Sequence, residues 1–131
     1  MRTARIVSYR DLEAWQEAMV LAERCYALTT CFPKSEQFGL TAQIRRAAVS
    51  IASNVAEGHA RMTRAAYVNH LRIAAGSQAE LETQIELAVR LGLASEDQTA
   101  ATREGTAQVG RLLHGLIRAL EQSPQPPAPR P

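Results

Sequence analysis

Aromatic side chains are scarce in this chain, with one Trp, three Tyr and two Phe among 131 residues. A core built on rings is excluded, so Ala and Leu must do the packing, which suits closely spaced helices. Runs of alternating β-branched residues are missing too, and with them the usual signal for a sheet. No stretch approaches the roughly 20 apolar residues of a membrane span. The opening Met-Arg-Thr-Ala-Arg-Ile-Val-Ser-Tyr-Arg has positive charge but no apolar run of the length a secretory signal requires, so a cytoplasmic protein is expected. Cys25 and Cys31 are the two cysteines. Six positions apart, they point to different faces of a helix, which excludes a CxxC site and argues for reduced, partly buried thiols. Before Gln122 the only proline is Pro33; the tail Ser-Pro-Gln-Pro-Pro-Ala-Pro-Arg-Pro is too rich in proline to be helical.

Motifs of catalysis are also missing. There is no Walker loop, GxSxG elbow or HExxH. A di-iron bundle needs Glu-x-x-His pairs, and none of His59, His70 and His114 has glutamate three residues before it. No metal, cofactor or enzymatic activity is expected.

What is present is helical periodicity. In the central run from Gly39 to Gly58, Ile44, Ala48, Ile51 and Val55 form one apolar stripe. Beside it lie Gln43, Ala47, Ser50, Asn54 and Glu57, small or polar side chains that admit a close neighbour and need hydrogen-bond partners if buried. A first helix is expected from near Asp11, capped by Ser8 or Asp11, with Leu12, Trp15, Met19, Ala22 and Tyr26 as its seam and an end before Pro33. The second starts at Ser35 or Thr41 and closes at Gly58 in a left-handed conformation. The third, capped by Thr63, buries Tyr67, Leu71, Ala74, Gln78, Leu81, Ile85 and Ala88. Gly76 in its interior costs about 1 kcal/mol relative to Ala, so Gly76 and Ala47 are expected at tight helix contacts. Gly92 and Leu93 form a Schellman ending, and Ser95 to Gln98 a capping box for a fourth helix faced by Val109, Leu113, Leu116 and Leu120, its half before Gly105 prone to fray.

The fold class is therefore all-α, an antiparallel up-down-up-down four-helix bundle over residues 11–121, between a basic arm at 1–10 and a Pro-rich disordered tail at 122–131. Small or apolar residues lie around more than one stripe of helices two and three. That surplus points to a contact with another copy of the chain.

The net charge of +2 is unevenly spread. Lys34, Arg45, Arg46, Arg61, Arg64 and Arg72 face only Glu36 and Glu57 between residues 34 and 72, whereas acids dominate from 73 to 104. Such blocks make either a basic face for nucleic acid or complementary charge between helices.

The run Phe32-Pro33, Glu36, Gly39-Leu40, Gln43, Arg45 to Ile51, Ser53-Asn54 and Ala56-Glu57-Gly58 carries a family resemblance, continued in Ile73-Ala74, Gly76-Ser77, Glu80-Leu81, Thr83-Gln84 and Leu87-Ala88. It resembles the bacterial four-helix-bundle proteins encoded in intervening sequences of the 23S ribosomal RNA gene, a family that includes accessory variability (Avd-like) proteins of diversity-generating retroelements. One departure is Ala52, where such proteins often have proline. The resemblance covers residues 9 to about 120. It implies a ring-shaped homopentamer without known enzymatic activity; in the retroelement branch the ring binds nucleic acid and a reverse transcriptase.

Two functional readings follow. In one, the protein is a nucleic-acid-binding adaptor whose Arg45, Arg46, Arg61, Arg64 and Arg72 contact DNA or RNA phosphates without sequence preference. In the other, it is a self-assembling scaffold or protein-interaction module whose arginines pair with Glu57, Glu80, Glu82 or Glu86. Arg45 and Arg46 lie beside small residues, the setting of a structural ion pair, whereas Arg61 and Arg64 flank a turn and are freer to meet a ligand. No aromatic residue is interleaved with them, so stacking on single-strand bases has little support.

Overall fold

A computed structural model describes residues 5–122. The expected Pro-rich tail from Ser123 onward and the first four residues of the basic arm lie outside them. Within the described residues there are four α-helices and no strand: α1 (Glu13–Thr30), α2 (Leu40–His59), α3 (Arg64–Arg90) and α4 (Glu96–Gln122). Short 3-10 turns at Tyr9–Asp11 and Lys34–Glu36 precede α1 and α2. None of these helices is long and apolar enough to cross a membrane.

Each helix packs on two neighbours, α1 on α2 and α4, α3 on α2 and α4. Hydrogen bonds between helices show the directions. Ser50 meets Ser77 at 2.9 Å and Asn54 meets His70 at 3.0 Å, so residue numbers fall on α3 as they rise on α2. Gln78 Nε2 to the Thr106 carbonyl and Arg103 to Glu86 run α3 against α4 in the same way. Ile44, Ala48, Ile51 and Val55 are fully buried, as are Leu71, Ala74, Leu81 and Ala88, so the expected stripes of α2 and α3 face the core.

The helix ends explain several boundaries. Ser8 and Asp11 form a capping box, but around the 3-10 turn before α1, not on α1 itself. The start of α2 is settled at Leu40, whose N–H donates to Glu36 Oε1 at 3.0 Å. Thr63 caps α3 by accepting from Ala66 N. Gly92, at φ 76°, ends α3: its N–H donates to Val89 O and Leu93 N–H to Ala88 O, the Schellman pair. Ser95 and Gln98 exchange capping bonds at the start of α4.

Four expectations are corrected. In α1 the buried stripe is Ala14, Ala18, Leu21, Cys25 and Leu28, while Met19 and Tyr26 of the expected seam are exposed. Gly58 does not take a left-handed conformation; α2 runs through it to His59, and a Cβ there would stand 2.7 Å from His70 Cβ and 3.3 Å from the Tyr67 carbonyl oxygen. Gly76, by contrast, is exposed, with nothing within 4 Å of where its Cβ would be, whereas Ala47 is buried as expected. The first half of α4 is helical from Glu96 onward because Thr99, Thr102 and Thr106 are buried, with the Thr99 and Thr106 hydroxyls donating to Ser95 and Thr102 carbonyls. Their methyl groups thus serve as an apolar face.

Candidate nucleic-acid and assembly surfaces

The five candidate arginines do not converge on one site. Arg45 is built into the α1–α2 contact: its guanidinium carbon lies 4.5 Å from the Tyr26 ring centroid and its Nε donates to Thr29 Oγ1 at 2.8 Å. The expected structural role is therefore met by a ring and a hydroxyl rather than a carboxylate. Arg46, one position on, is exposed, and within the described residues it makes no hydrogen bond or ion pair. Arg61 pairs with Glu57 one turn earlier on α2, at 3.3 Å, both half-exposed. Arg64 opens α3 just beyond the turn. Arg72 pairs with Glu121 on α4. Arg61 and Arg64 lie three residues apart at the α2–α3 turn, and the adjacent Arg45 and Arg46 lie about 22 Å up the helix from it at 1.5 Å per residue.

Exposed pairs of this kind are worth little, about 0–1 kcal/mol, so Arg61 and Arg72 can exchange their carboxylates for phosphate. Glu86 is a different case, held by Arg90 on its own helix at 2.9 Å and by Arg103 of α4 at 3.0 Å. These two hydrogen bonds hold its carboxyl below the ordinary range.

Between α2 and α3 the polar stripe beside the core finds partners at Ser50, Asn54 and Glu57, while Gln43 is exposed. Ser77 meets Ser50, Asn54 Nδ2 donates to the Ser50 carbonyl, and Asn54 Oδ1 faces His70 Nδ1, which must carry the proton for that bond. Glu57 Oε2 stands 3.7 Å from the same nitrogen. His70 thus belongs to the interhelical contact, while His114 is exposed on α4.

Higher up the same pair of helices lies a groove of about 520 Å³, with Leu40, Gln43 and Arg46 on one wall and Glu80, Thr83, Gln84 and Leu87 on the other. Gln84 is 7% exposed, and its Oε1 has no hydrogen-bond partner. Leaving a buried acceptor unpaired costs about 1–3 kcal/mol. No periodicity pointed to this atom, because Gln84 reads as the neighbour of a core stripe. On the other side of α2, Tyr26, Met19 and Val49 are 45, 40 and 43% exposed and border two shallow grooves shared by α1 and α2.

Comparison with known proteins agrees with this architecture. The sequence model of the 23S rRNA-intervening sequence protein family matches residues 10–115. A solved structure of a protein of unknown function from the S23 ribosomal protein family of Bacteroides thetaiotaomicron is 24% identical, with a TM-score of 0.73. The match covers 80% of this chain and 98% of that one, and at this identity it speaks for the fold alone. No curated protein matches the chain.

Proposed function

This chain belongs to the 23S rRNA-intervening sequence protein family, and from that premise we propose that it is a non-enzymatic, self-assembling adaptor of the cytoplasm. Copies close into a ring, a homopentamer by the family resemblance, and the ring offers basic residues to nucleic acid. The observation that carries self-assembly is the second apolar stripe of α1. Met19 and Tyr26 keep the three-to-four spacing of a packed seam and, with Val49 of α2, are exposed on one side of the molecule. Large apolar side chains repeated at packing intervals on a solvent face are a contact surface in need of a partner. Repetition around a symmetric assembly also multiplies a modest charge per chain into a larger field.

Light scattering coupled to size-exclusion chromatography tests the assembly. The parent is expected at a multiple of its 14.3 kDa mass and Met19→Lys at a smaller one. A monomeric parent at micromolar concentration rejects this reading.

Nucleic-acid binding draws its support from Arg61 and Arg64 at the α2–α3 turn, together with the positive excess between residues 34 and 72. Fluorescence anisotropy with duplex and single-stranded oligonucleotides over a salt series is the test. Each phosphate contact removed by Arg61→Ala or Arg64→Ala flattens the slope of log affinity against log salt by about 0.7 to 0.9. Identical binding after both changes moves the site elsewhere; no binding even at low salt leaves a scaffold without nucleic acid. A reverse transcriptase as protein partner rests on the family resemblance and is tested by co-purification with one encoded nearby.

A further inference from the structure

His59 and His70, two of the three histidines, bracket the α2–α3 turn that carries Arg61 and Arg64. The carboxylate between them is shared. Glu57 reaches Arg61 with Oε1 at 3.3 Å and His70 Nδ1 with Oε2 at 3.7 Å. Asn54 spends its Nδ2 on the Ser50 carbonyl, so it is Oδ1 that faces the His70 ring at 3.0 Å, and Nδ1 carries the proton. That leaves Nε2 as the acceptor of the neutral ring. It makes no hydrogen bond among the described residues and is not a buried atom, so a proton from water can reach it. His59 lies in the last turn of α2, where the helix C-terminus favours a cation, with its ring nearly perpendicular to that of Tyr67, 5.7 Å between centroids.

We propose that this turn is a proton-gated site for nucleic-acid phosphates, in which protonated His59 and His70 join Arg61 and Arg64 while Glu57 turns from Arg61 to the His70 imidazolium. The proposal rests on the nucleic-acid reading and names the regulation of that site. Glu57 and Arg61 face His70 from α2. Tyr67 of α3 and Asp11 of the 3-10 turn face His59; burial pushes the Tyr67 phenol up, and the backbone N–H groups of Ser8 and Val7 hold the Asp11 carboxyl down. On α4, Glu121 is taken by Arg72. Of these groups only the two imidazoles are of a type that changes charge between pH 8 and pH 6. At the upper pH the two arginines are balanced by Glu57 and Asp11. Two imidazolium ions turn that balance into a positive excess on the face where Arg61 meets solvent.

Fluorescence anisotropy with a labelled duplex at fixed salt, at pH 8 and pH 6, tests it. The parent is expected to bind at least about fivefold tighter at pH 6, and its salt slope to steepen by about 0.7 to 0.9 for each imidazolium that meets a phosphate. His59→Gln with His70→Gln should remove the gain; glutamine at position 70 keeps an amide N–H for Asn54. Glu57→Gln should bind more tightly than the parent already at pH 8, because Arg61 loses its competing carboxylate. His114→Gln is expected to keep the full gain, since His114 is exposed on α4, which does not pack on α2. Helical circular dichroism at both pH values shows which variants are folded; if His70→Gln is not, His59→Gln alone should reduce the gain and Glu57→Gln still tests the masking of Arg61. A parent that binds equally at the two pH values overturns the proposal and leaves the nucleic-acid reading standing. So does a folded double variant with the parent's gain, or a Glu57→Gln no tighter than the parent at pH 8. A parent that binds at neither pH, even at low salt, overturns both.

Discussion

Arg45 lies over the ring of Tyr26, 4.5 Å from its centroid, and ties α2 to α1 through Thr29 Oγ1. A guanidinium spent in this way is poorly placed to meet a phosphate. Arg45→Ala removes a cation–π contact and a charge-assisted hydrogen bond, a loss of about 1–3 kcal/mol in urea unfolding. Arg45→Lys recovers only part of that, because an ammonium lacks the planar fork that serves ring and hydroxyl together. Arg46→Ala, on the neighbouring exposed position, should change the stability of the dissociated chain by no more than about 0.5 kcal/mol. Equal losses at the two positions would show that the Tyr26 contact contributes nothing.

The two helical glycines Gly58 and Gly76 separate by sign. At Gly58 a methyl group meets His70 Cβ at 2.7 Å and the backbone of Tyr67, so α3 must move away from α2. Gly58→Ala is expected to cost about 1–3 kcal/mol. At Gly76 the space is open, and Gly76→Ala should stabilise the dissociated chain by up to about 1 kcal/mol through helix propensity. Thermal unfolding at concentrations below association reads both. A loss at Gly76 would contradict the open space there.

Sequence periodicity was a sound guide where one stripe of a helix is clearly more apolar than the rest, as with Ile44, Ala48, Ile51 and Val55, or Leu71 to Ala88 on α3. Local chemistry was equally legible at Thr63, at Gly92 with Leu93, and at Ser95 with Gln98, because caps depend on neighbours in sequence. In α1 two stripes share the same spacing, and Trp15, Met19 and Tyr26 outweigh Ala14, Ala18 and Cys25 in size. Only the positions of α2 and α4 decide which stripe is buried, and no local rule contains them. The use of a helical glycine is likewise set by what lies across from it. For the same reason the five arginines look alike in sequence yet divide into a locked one, one with no bond among the described residues, two in exposed pairs and one at a helix start.

The two cysteines should differ in reactivity as they do in position. Cys25 is fully buried in the α1 core, where burial pushes its thiol up to about 12, while Cys31 is exposed at the end of α1. Only the thiolate reacts with iodoacetamide. At pH 8 the native protein is expected to gain a single adduct at Cys31, and the urea-unfolded chain two, as read by intact mass and peptide mapping. Rapid labelling of Cys25 in the native state would mean that α1 opens locally.

Acid should weaken the join between α3 and α4 through Glu86. Hydrogen bonds first from Arg90 and then from Arg103 lower its carboxyl in the folded protein, whereas the unfolded chain has the ordinary value. The unfolded state therefore binds a proton first as pH falls. The contribution of Glu86 is fully present above the ordinary carboxylate range and is lost as pH descends through the depressed folded value. Stability is expected to hold from pH 7 to about 5 and to decline below that, with Asp11, lowered by the backbone N–H groups of Ser8 and Val7, adding to the decline. Glu86→Gln should be less stable than the parent at pH 7, and the gap should narrow as the pH falls through the depressed folded value, where the parent's carboxyl takes up its proton too. Urea midpoints of parent and variant over a descending pH series measure this. A gap that persists unchanged at low pH would assign the effect to packing of the side chain, and the charged hydrogen bonds from Arg90 and Arg103 would have no part in stability.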